Sequence, residues 1–530
     1  MDASSGVPPR GELDLPRARR YRASVRAMRI PAAVLTLVLA LILAGCGDSG
    51  SGSPASGLVP EGAAVYGTFT LDPKGDQESA VRDIAARFPG GDDIDAQIEK
   101  GLSEAFRESG LDYGDDVEPW IGEEAAFFIS GVREDDADAA VVVETTDEDA
   151  AQEAFEKAGP EKAKERSYEG TDYLLRDETA SGVVEGRAVI GTEAALKAAV
   201  DTGESGDSIE DVERVEEALD RLPDDPLASV YFDGRKLLSA IGPGGALLAP
   251  FVQVFDEPYV VGLSVESDAV VLDTTLPAAL SAFAAPLLFG SGTDAVLDLP
   301  ADSFYAAGQP EVGDTITTLV DLFAAAAGGR EQIDQQVRAA TGLDLEKDIL
   351  AWMGDLGAFA SGTSVEELGA GAVIETKDPG TSRRTIEVLG RLARREADPD
   401  ATFGPLTLPG GGDGFSVESP ELPKPVHVVQ RGERVAIALG DESAQALLEP
   451  GDTLGEDAGF NDAAERLGDG FEVANFLDFA PILELAESEG ASSDPEYGEA
   501  KPYLEPFARL VAGTRKDGDV VLSRTRVELR

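Results

Sequence analysis

Hydrophobic and polar positions change period along this chain in the same order twice. A short apolar alternation, AAVYGTF from Ala63 and DSFYAAG from Asp302, reads as an opening strand. Helical spacing follows each time. Ile94, Ile98, Leu102 and Phe106 recur every four residues, and Ile316, Leu319, Val320 and Phe323 follow i, i+3, i+4, i+7. Asp92 or Asp93, and Asp314, stand where helix N-caps belong. Each helical stretch leads into a Trp-x-Gly segment, paired apolar strands, strand–Gly–helix units and closing strands such as VVGLSVES and AVVLDTTL. This is neither regular βαβ alternation nor pure β. It predicts an α+β fold of two tandem homologous units, each a mostly antiparallel sheet with helices packed on one face.

The two Trp residues anchor the comparison of the units. At an offset of 232, Gly110, Leu111, Asp112, Asp116, Trp120, Gly122, Ala126 and Phe127 meet Gly342, Leu343, Asp344, Asp348, Trp352, Gly354, Ala358 and Phe359. Later, Glu144-Thr145 and Asp147 meet Glu375-Thr376 and Asp378, and Tyr231 and Asp233 meet Phe476 and Asp478. The openings agree as well, with Pro60 before Tyr66 and Pro300 before Tyr305. Unit one is placed at 58–278, an apolar connector at 279–295 and unit two at 296–530. In this reading each Trp ring plugs the end of a core, and Gly122 and Gly354 permit a turn.

The order of opening strand, helical pair, D-x-x-D-[VI]-x-x-W-[IM]-G and strand–Gly–helix resembles the uncharacterised bacterial envelope proteins grouped as domain-of-unknown-function family thirty-three fifty-two. The resemblance spans nearly all of the chain beyond its first 45 residues. It implies an extracytoplasmic protein with a duplicated fold, and it carries over no catalytic residue.

The N-terminus has a different character. Seven Arg and three acids precede an uncharged run from Ile30 to Ala44, which is short for a bilayer-spanning helix and right for a signal-peptide core. The run ends in Leu43-Ala44-Gly45-Cys46, which resembles the lipobox of bacterial lipoproteins. Residues 1–45 are therefore expected to be a signal peptide, with Met28 an alternative start. Cys46 is expected to be the lipid attachment site, and residues 46–57 a flexible tether. The expected location is the extracytoplasmic face of the cell membrane, held there through the Cys46 lipid.

Charge sharpens this. The chain has 44 Lys+Arg against 101 Asp+Glu, a net of −57. Removing the +4 of the first 45 residues leaves −61 on the remainder. Nucleic acid is excluded as a partner, and such a surface is not drawn to an anionic leaflet. One Cys and one His allow neither an internal disulfide nor a multi-His or multi-Cys metal site, and no cofactor is implied. G-x-S-x-G, the P-loop and H-E-x-x-H are all absent. His427, in PVHVV, reads as a surface or partly packed strand residue. The D-x-D clusters at Asp93-Asp95 and Asp136-Asp138 lack the distal Gly and Glu of a calcium loop.

Where the acidity lapses in unit one, Leu247, Leu248, Phe251, Phe283, Leu287 and Phe289 form a candidate apolar patch, packed between the units or open to a hydrophobic ligand. The sequence thus points to a lipid-anchored, non-enzymatic binding or scaffolding protein, its partner an unknown envelope protein or hydrophobic molecule. The alternatives are a carrier or sensor of a hydrophobic molecule, and a carboxylate-dependent hydrolase.

Overall fold

A computed structural model describes residues 55–107, 109–132, 137–159, 162–240, 257–277, 291–324, 329–396, 401–406, 408–518 and 520–530. Cys46, Leu247, Leu248, Phe251, Phe283, Leu287 and Phe289 lie outside the described residues.

Twenty strands among the described residues join into one antiparallel sheet. In chain order the first ten are β1 (Val65–Thr70), β2 (Ile121–Val132), β3 (Ala137–Thr145), β4 (Lys164–Tyr168), β5 (Thr171–Arg176), β6 (Thr179–Val184), β7 (Arg187–Thr192), β8 (Ala228–Phe232), β9 (Tyr259–Glu266) and β10 (Ala269–Pro277). The second ten are β11 (Ser303–Gln309), β12 (Met353–Ser361), β13 (Gly369–Thr376), β14 (Thr402–Pro405), β15 (Asp413–Glu418), β16 (Val426–Arg431), β17 (Arg434–Leu439), β18 (Glu472–Asp478), β19 (Phe507–Asp517) and β20 (Val520–Leu529). Across the sheet the first ten run 4-5-6-7-3-2-1-8-9-10. The second ten continue 20-19-18-11-12-13-17-16-15-14, the same order in reverse. The junction is β10 against β20, Ala269↔Glu528 through Pro277↔Val520. Two separate sheets were expected, and the closing strands instead join the halves into one. The outer strands are guarded by exposed Lys164, Glu165 and Arg166 on β4 and by Pro405 at the end of β14.

Helices cover both faces, not one. On β3, Ala140 and Val142 join Leu196, Ala199 and Val200 of the helix Glu193–Ser205 on one face. Val141 and Val143 meet Ala151, Ala154 and Phe155 of the helix Glu148–Lys157 on the other. On the second half, Val373 packs with Leu447 of the helix Gly440–Leu448, while Ile374 faces Ile386 of the helix Pro379–Glu396. Strands buried on both sides lose the polar alternation that a one-faced sheet would show, as in the AAVVV run of β3.

Several expected details shift. Ala55 and Ser56 are fully buried, so the folded body begins inside the region assigned to the tether. Gly292 N–H donates to Thr514 Oγ1 at 2.8 Å and Val296 joins the second core, so residues 291–295 belong to that half and not to a connector. The helix Val312–Ala324 starts two residues before Asp314, which lies in its first turn and is not its cap. Tyr66 is buried whereas Tyr305 is 38% exposed, because Ala306 holds the core-facing place, opposite Phe359 and Phe476. The Phe127–Phe359 match slips for the same kind of reason. The β2–β3 bulge spans Ile121 to Ala125 and the β12–β13 bulge only Met353 to Leu356, so Phe128, not Phe127, occupies the place of Phe359. One extra residue in a strand turns every later side chain to the other face.

Charged side chains clamp the junction. Arg526, 4% exposed, donates to Glu266 at 2.5 Å and to Asp268 at 2.8 Å, and lies 3.4 Å from buried Glu528. Arg524 bonds Asp273 at 2.7 Å and Leu467 O at 3.0 Å. Burial raises the Asp273 carboxyl above the usual range against the pull of Arg524.

Candidate functional site

The two Trp corners are built alike. Asp112 N–H donates to Asp116 Oδ2 and Asp344 N–H to Asp348 Oδ2, both at 2.9 Å. Asp112 and Asp344 in turn accept from the N–H groups of Asp115 and Lys347. These paired caps hold a single wide turn, closed by Glu118 N–H to Tyr113 O and by Ala351 N–H to Glu346 O, each at 2.8 Å and each spanning five residues. Thr146 N–H then donates to Trp120 O and Lys377 N–H to Trp352 O. Both Trp side chains are buried. Gly122 and Gly354 do not serve a turn, because neither has a positive φ. They admit the neighbouring strand: a Cβ at Gly122 would sit 2.9 Å from Glu144 O, and one at Gly354 2.8 Å from Glu375 O.

The corners differ in what closes them. In the first, Trp120 Nε1 donates to Asp116 O at 2.9 Å and the ring meets Phe155 edge-on. Lys157 Nζ reaches Asp116 Oδ1 at 2.6 Å and, with Asp112 N–H, holds that carboxyl below its usual range. In the second, Thr385 and Ile386 stand where Ala154 and Phe155 stand in the first. The Thr385 hydroxyl donates to Asp348 O, and Trp352 Nε1 is left without a partner among the described residues. Val388 stands where Lys157 stands in the first corner, and it gives Asp348 no cation.

A pocket of about 300 Å³ remains there, lined by Asp348, Thr381, Arg384, Glu387, Val388 and Arg391 among others. Arg384 donates to Thr381 Oγ1 at 2.9 Å, and Arg391 has no partner among the described residues. Asp378 caps this helix through Gly380 N–H at 2.9 Å and Thr381 N–H at 3.1 Å. The Thr381 hydroxyl first, then the N–H groups, lower its carboxyl below the usual range. Beside Gly354 an open cleft of about 470 Å³ is lined by Glu311, Asp355, Glu375, Lys377, Glu433 and Arg434 among others.

The helix carrying the pocket is also the basic one. Arg383, Arg384, Arg391, Arg394 and Arg395 lie within its eighteen residues. The helix at the matching place in the first half, Glu148–Lys157, exposes Glu148, Asp149, Glu153 and Glu156. His427 is 3% exposed, with Nε2 2.7 Å from Asp441 Oδ1, although neither ring nitrogen makes a well-directed hydrogen bond. It is a core-facing residue of β16, not a surface one. Among the described residues no three His, Cys, Asp or Glu side chains gather as a metal site requires, and no helix is long and apolar enough to cross a membrane.

The model of the family described as "Protein of unknown function (DUF3352)" matches residues 30–497. The chain belongs to this family. No curated protein matches it. Among solved structures, crystal form III of TP0453 is 12% identical with a TM-score of 0.25, covering 43% of this chain and 80% of that one. Crystal form IV is 11% identical with a TM-score of 0.26, covering 45% and 86%. The Trp corners of this DUF3352 chain were visible in its sequence as repeat markers. The open pocket beside the second was not. Its signals are the replacement of Lys157 by Val388 and an arginine run in an acidic chain.

Proposed function

We propose that this chain is a non-catalytic binding protein, held at the extracytoplasmic face of the cell membrane through lipid on Cys46 and built from two copies of one α+β unit. The repeated strand order, the matching bulges and the twin capped turns support duplication. The signal-like segment ending at Cys46 supports export and anchoring. The copies have diverged in role: the first corner is shut by an ion pair, and the second receives a ligand.

One observation carries the binding reading: among the described residues the Asp116–Lys157 pair of the first corner has no counterpart at Asp348, where a pocket of about 300 Å³ opens. Two guanidinium groups, Arg384 and Arg391, and two carboxylates, Asp348 and Glu387, face it. A small polar molecule with both an anionic and a cationic group complements that set, the anion meeting arginine in charge-assisted bonds.

The test is Val388→Lys, which rebuilds the first corner's ion pair in the second. Native mass spectrometry of the protein taken from its own membranes should show a small-molecule adduct in the wild type and none in the variant. An adduct that survives Val388→Lys, or none in either, contradicts the proposal.

A further inference from the structure

We infer that the arginine face of the helix Pro379–Glu396 docks the second half onto the anionic lipid headgroups of the membrane that carries the anchor. This inference rests on the anchoring reading above for its geometry, but its test does not depend on it.

The apolar side of the helix is used internally: Ile386 packs in the core with Trp352, Phe415 and Val435. The opposite side faces outward, with Arg384 and Arg391 also lining the pocket beside Asp348. At 100° per residue, Arg383, Arg394, Arg391, Arg384 and Arg395 fall within an arc of about 120°, shared only with Glu387 and Gly380. All five are exposed. With Glu387 and Glu396 the helix carries a net of +3 in a body that carries −61. Such a reversal attracts a partner of opposite sign, beyond the internal contacts that Arg383 and Arg395 already make. Arg383 bonds Asp413 at 2.6 Å, and Arg394 lies 5.9 Å over the Phe403 ring.

All five basic residues are arginine, whose planar fork pairs with phosphate oxygens through two bonds where a lysine offers a point charge. A basic amphipathic helix is a common form of membrane-surface contact. Here the apolar side is already spent on the fold, so the contact is with headgroups alone.

The tether makes a weak contact sufficient. Eight residues separate Cys46 from buried Ala55, nine steps of the chain and a reach of about 30 Å at most. A body held that close meets the surface at high effective concentration. The net charge argues that the body as a whole stands off. Screening over about 8 Å at physiological salt lets one basic face act on its own while the acidic remainder points away.

The experiment is arginine footprinting with phenylglyoxal, read by mass spectrometry, on the full-length chain mixed with vesicles of phosphatidylcholine alone or with about 30% phosphatidylglycerol. Anionic lipid should protect Arg383, Arg391 and Arg394 about fivefold or more relative to neutral lipid. That protection should vanish in 0.5 M NaCl, while Arg214, on the first half, should be unchanged. Arg391→Gln/Arg394→Gln, with melting unaltered, should lose the lipid-dependent protection of Arg383. Equal reactivity on both vesicles overturns the docking. So does protection that follows protein density on neutral vesicles, which would assign the face to a second copy. Equal protection by inorganic phosphate without lipid would also overturn it, by assigning the face to free anions. Flotation with neutral vesicles reports the anchor separately, and the docking is read only from what anionic lipid adds.

Discussion

Arg526→Met attacks the junction where β10 and β20 make one sheet of two halves. Arg526 is 4% exposed and faces three carboxylates, of which Glu266 is 55% exposed, Asp268 39% and Glu528 8%. The first two return to water when the guanidinium goes, and exposed pairs of that kind are worth about 0–1 kcal/mol each. Glu528 cannot. It keeps Arg466 at 3.5 Å and Arg509 at 3.9 Å, against 3.4 Å for Arg526 itself, so its compensation is lost only in part. Removing one partner of a buried charge costs about 3–5 kcal/mol, and with two cations remaining we take the low end, about 3 kcal/mol, for Arg526→Met.

That loss has two thermal signatures. Unfolding entropy is about 2.1 cal/mol/K per residue, so a single cooperative body of nearly 480 residues loses about 3 °C and an independently melting half about 6 °C. Scanning calorimetry distinguishes them, and the continuous sheet predicts a single transition in the wild type that splits in the variant. The loss should persist in high salt. Arg526→Met/Glu528→Leu, which removes the orphaned carboxylate, should recover most of it. Arg526→Met melting within about 1 °C of wild type, or a double variant no better than the single, would refute the reasoning.

The two Trp corners give a paired test. Trp120→Phe removes a donor that bonds Asp116 O, while Trp352→Phe removes one with no partner, so Trp120→Phe should cost about 1–2 kcal/mol more in urea unfolding followed by circular dichroism. Equal costs would mean that Trp352 Nε1 has an acceptor after all. Acid sensitivity should be local as well. Asp116 is held below its usual value by Lys157 and then by Asp112 N–H, so its contribution is present above the ordinary carboxylate value of about 3.9 and is lost as pH falls through the lower folded value. Lys157→Met should therefore melt with a flatter pH dependence between about pH 4 and pH 2 than the wild type, and parallel profiles would contradict this.

Much of this fold could be read from the order of its periods. The opening strands, the helices around Leu102 and Leu319, and the Asp-x-x-x-Asp turns before each Trp follow from local spacing and capping, which neighbouring residues determine. Three things could not be read that way. The β10–β20 pairing joins segments some 250 residues apart, and its register depends on both halves having folded. The bulge that turns Phe127 and Phe359 to opposite faces is a one-residue difference inside a well-matched stretch, invisible until strands are paired. Helices on the second face of the sheet were masked because an all-apolar strand such as AAVVV fits several burial patterns.

The apolar lapses in the acidity, at Leu247 and Phe283, lie outside the described residues. Among the described residues the sharper lapse is the arginine run from Arg383 to Arg395. It becomes informative only beside Val388, where the missing partner of Asp348 shows which corner is open.

That asymmetry is tested most directly by the two tryptophans, one in each corner. Full-length protein labelled with 5-fluorotryptophan gives two fluorine resonances, assigned by Trp120→Phe and Trp352→Phe. A panel of free amino acids and short peptides, each carrying both charges, is then titrated in. At least one member should move the Trp352 resonance saturably while Trp120 stays fixed. A panel that moves neither resonance, or that moves both alike, would contradict a binding pocket confined to the second half.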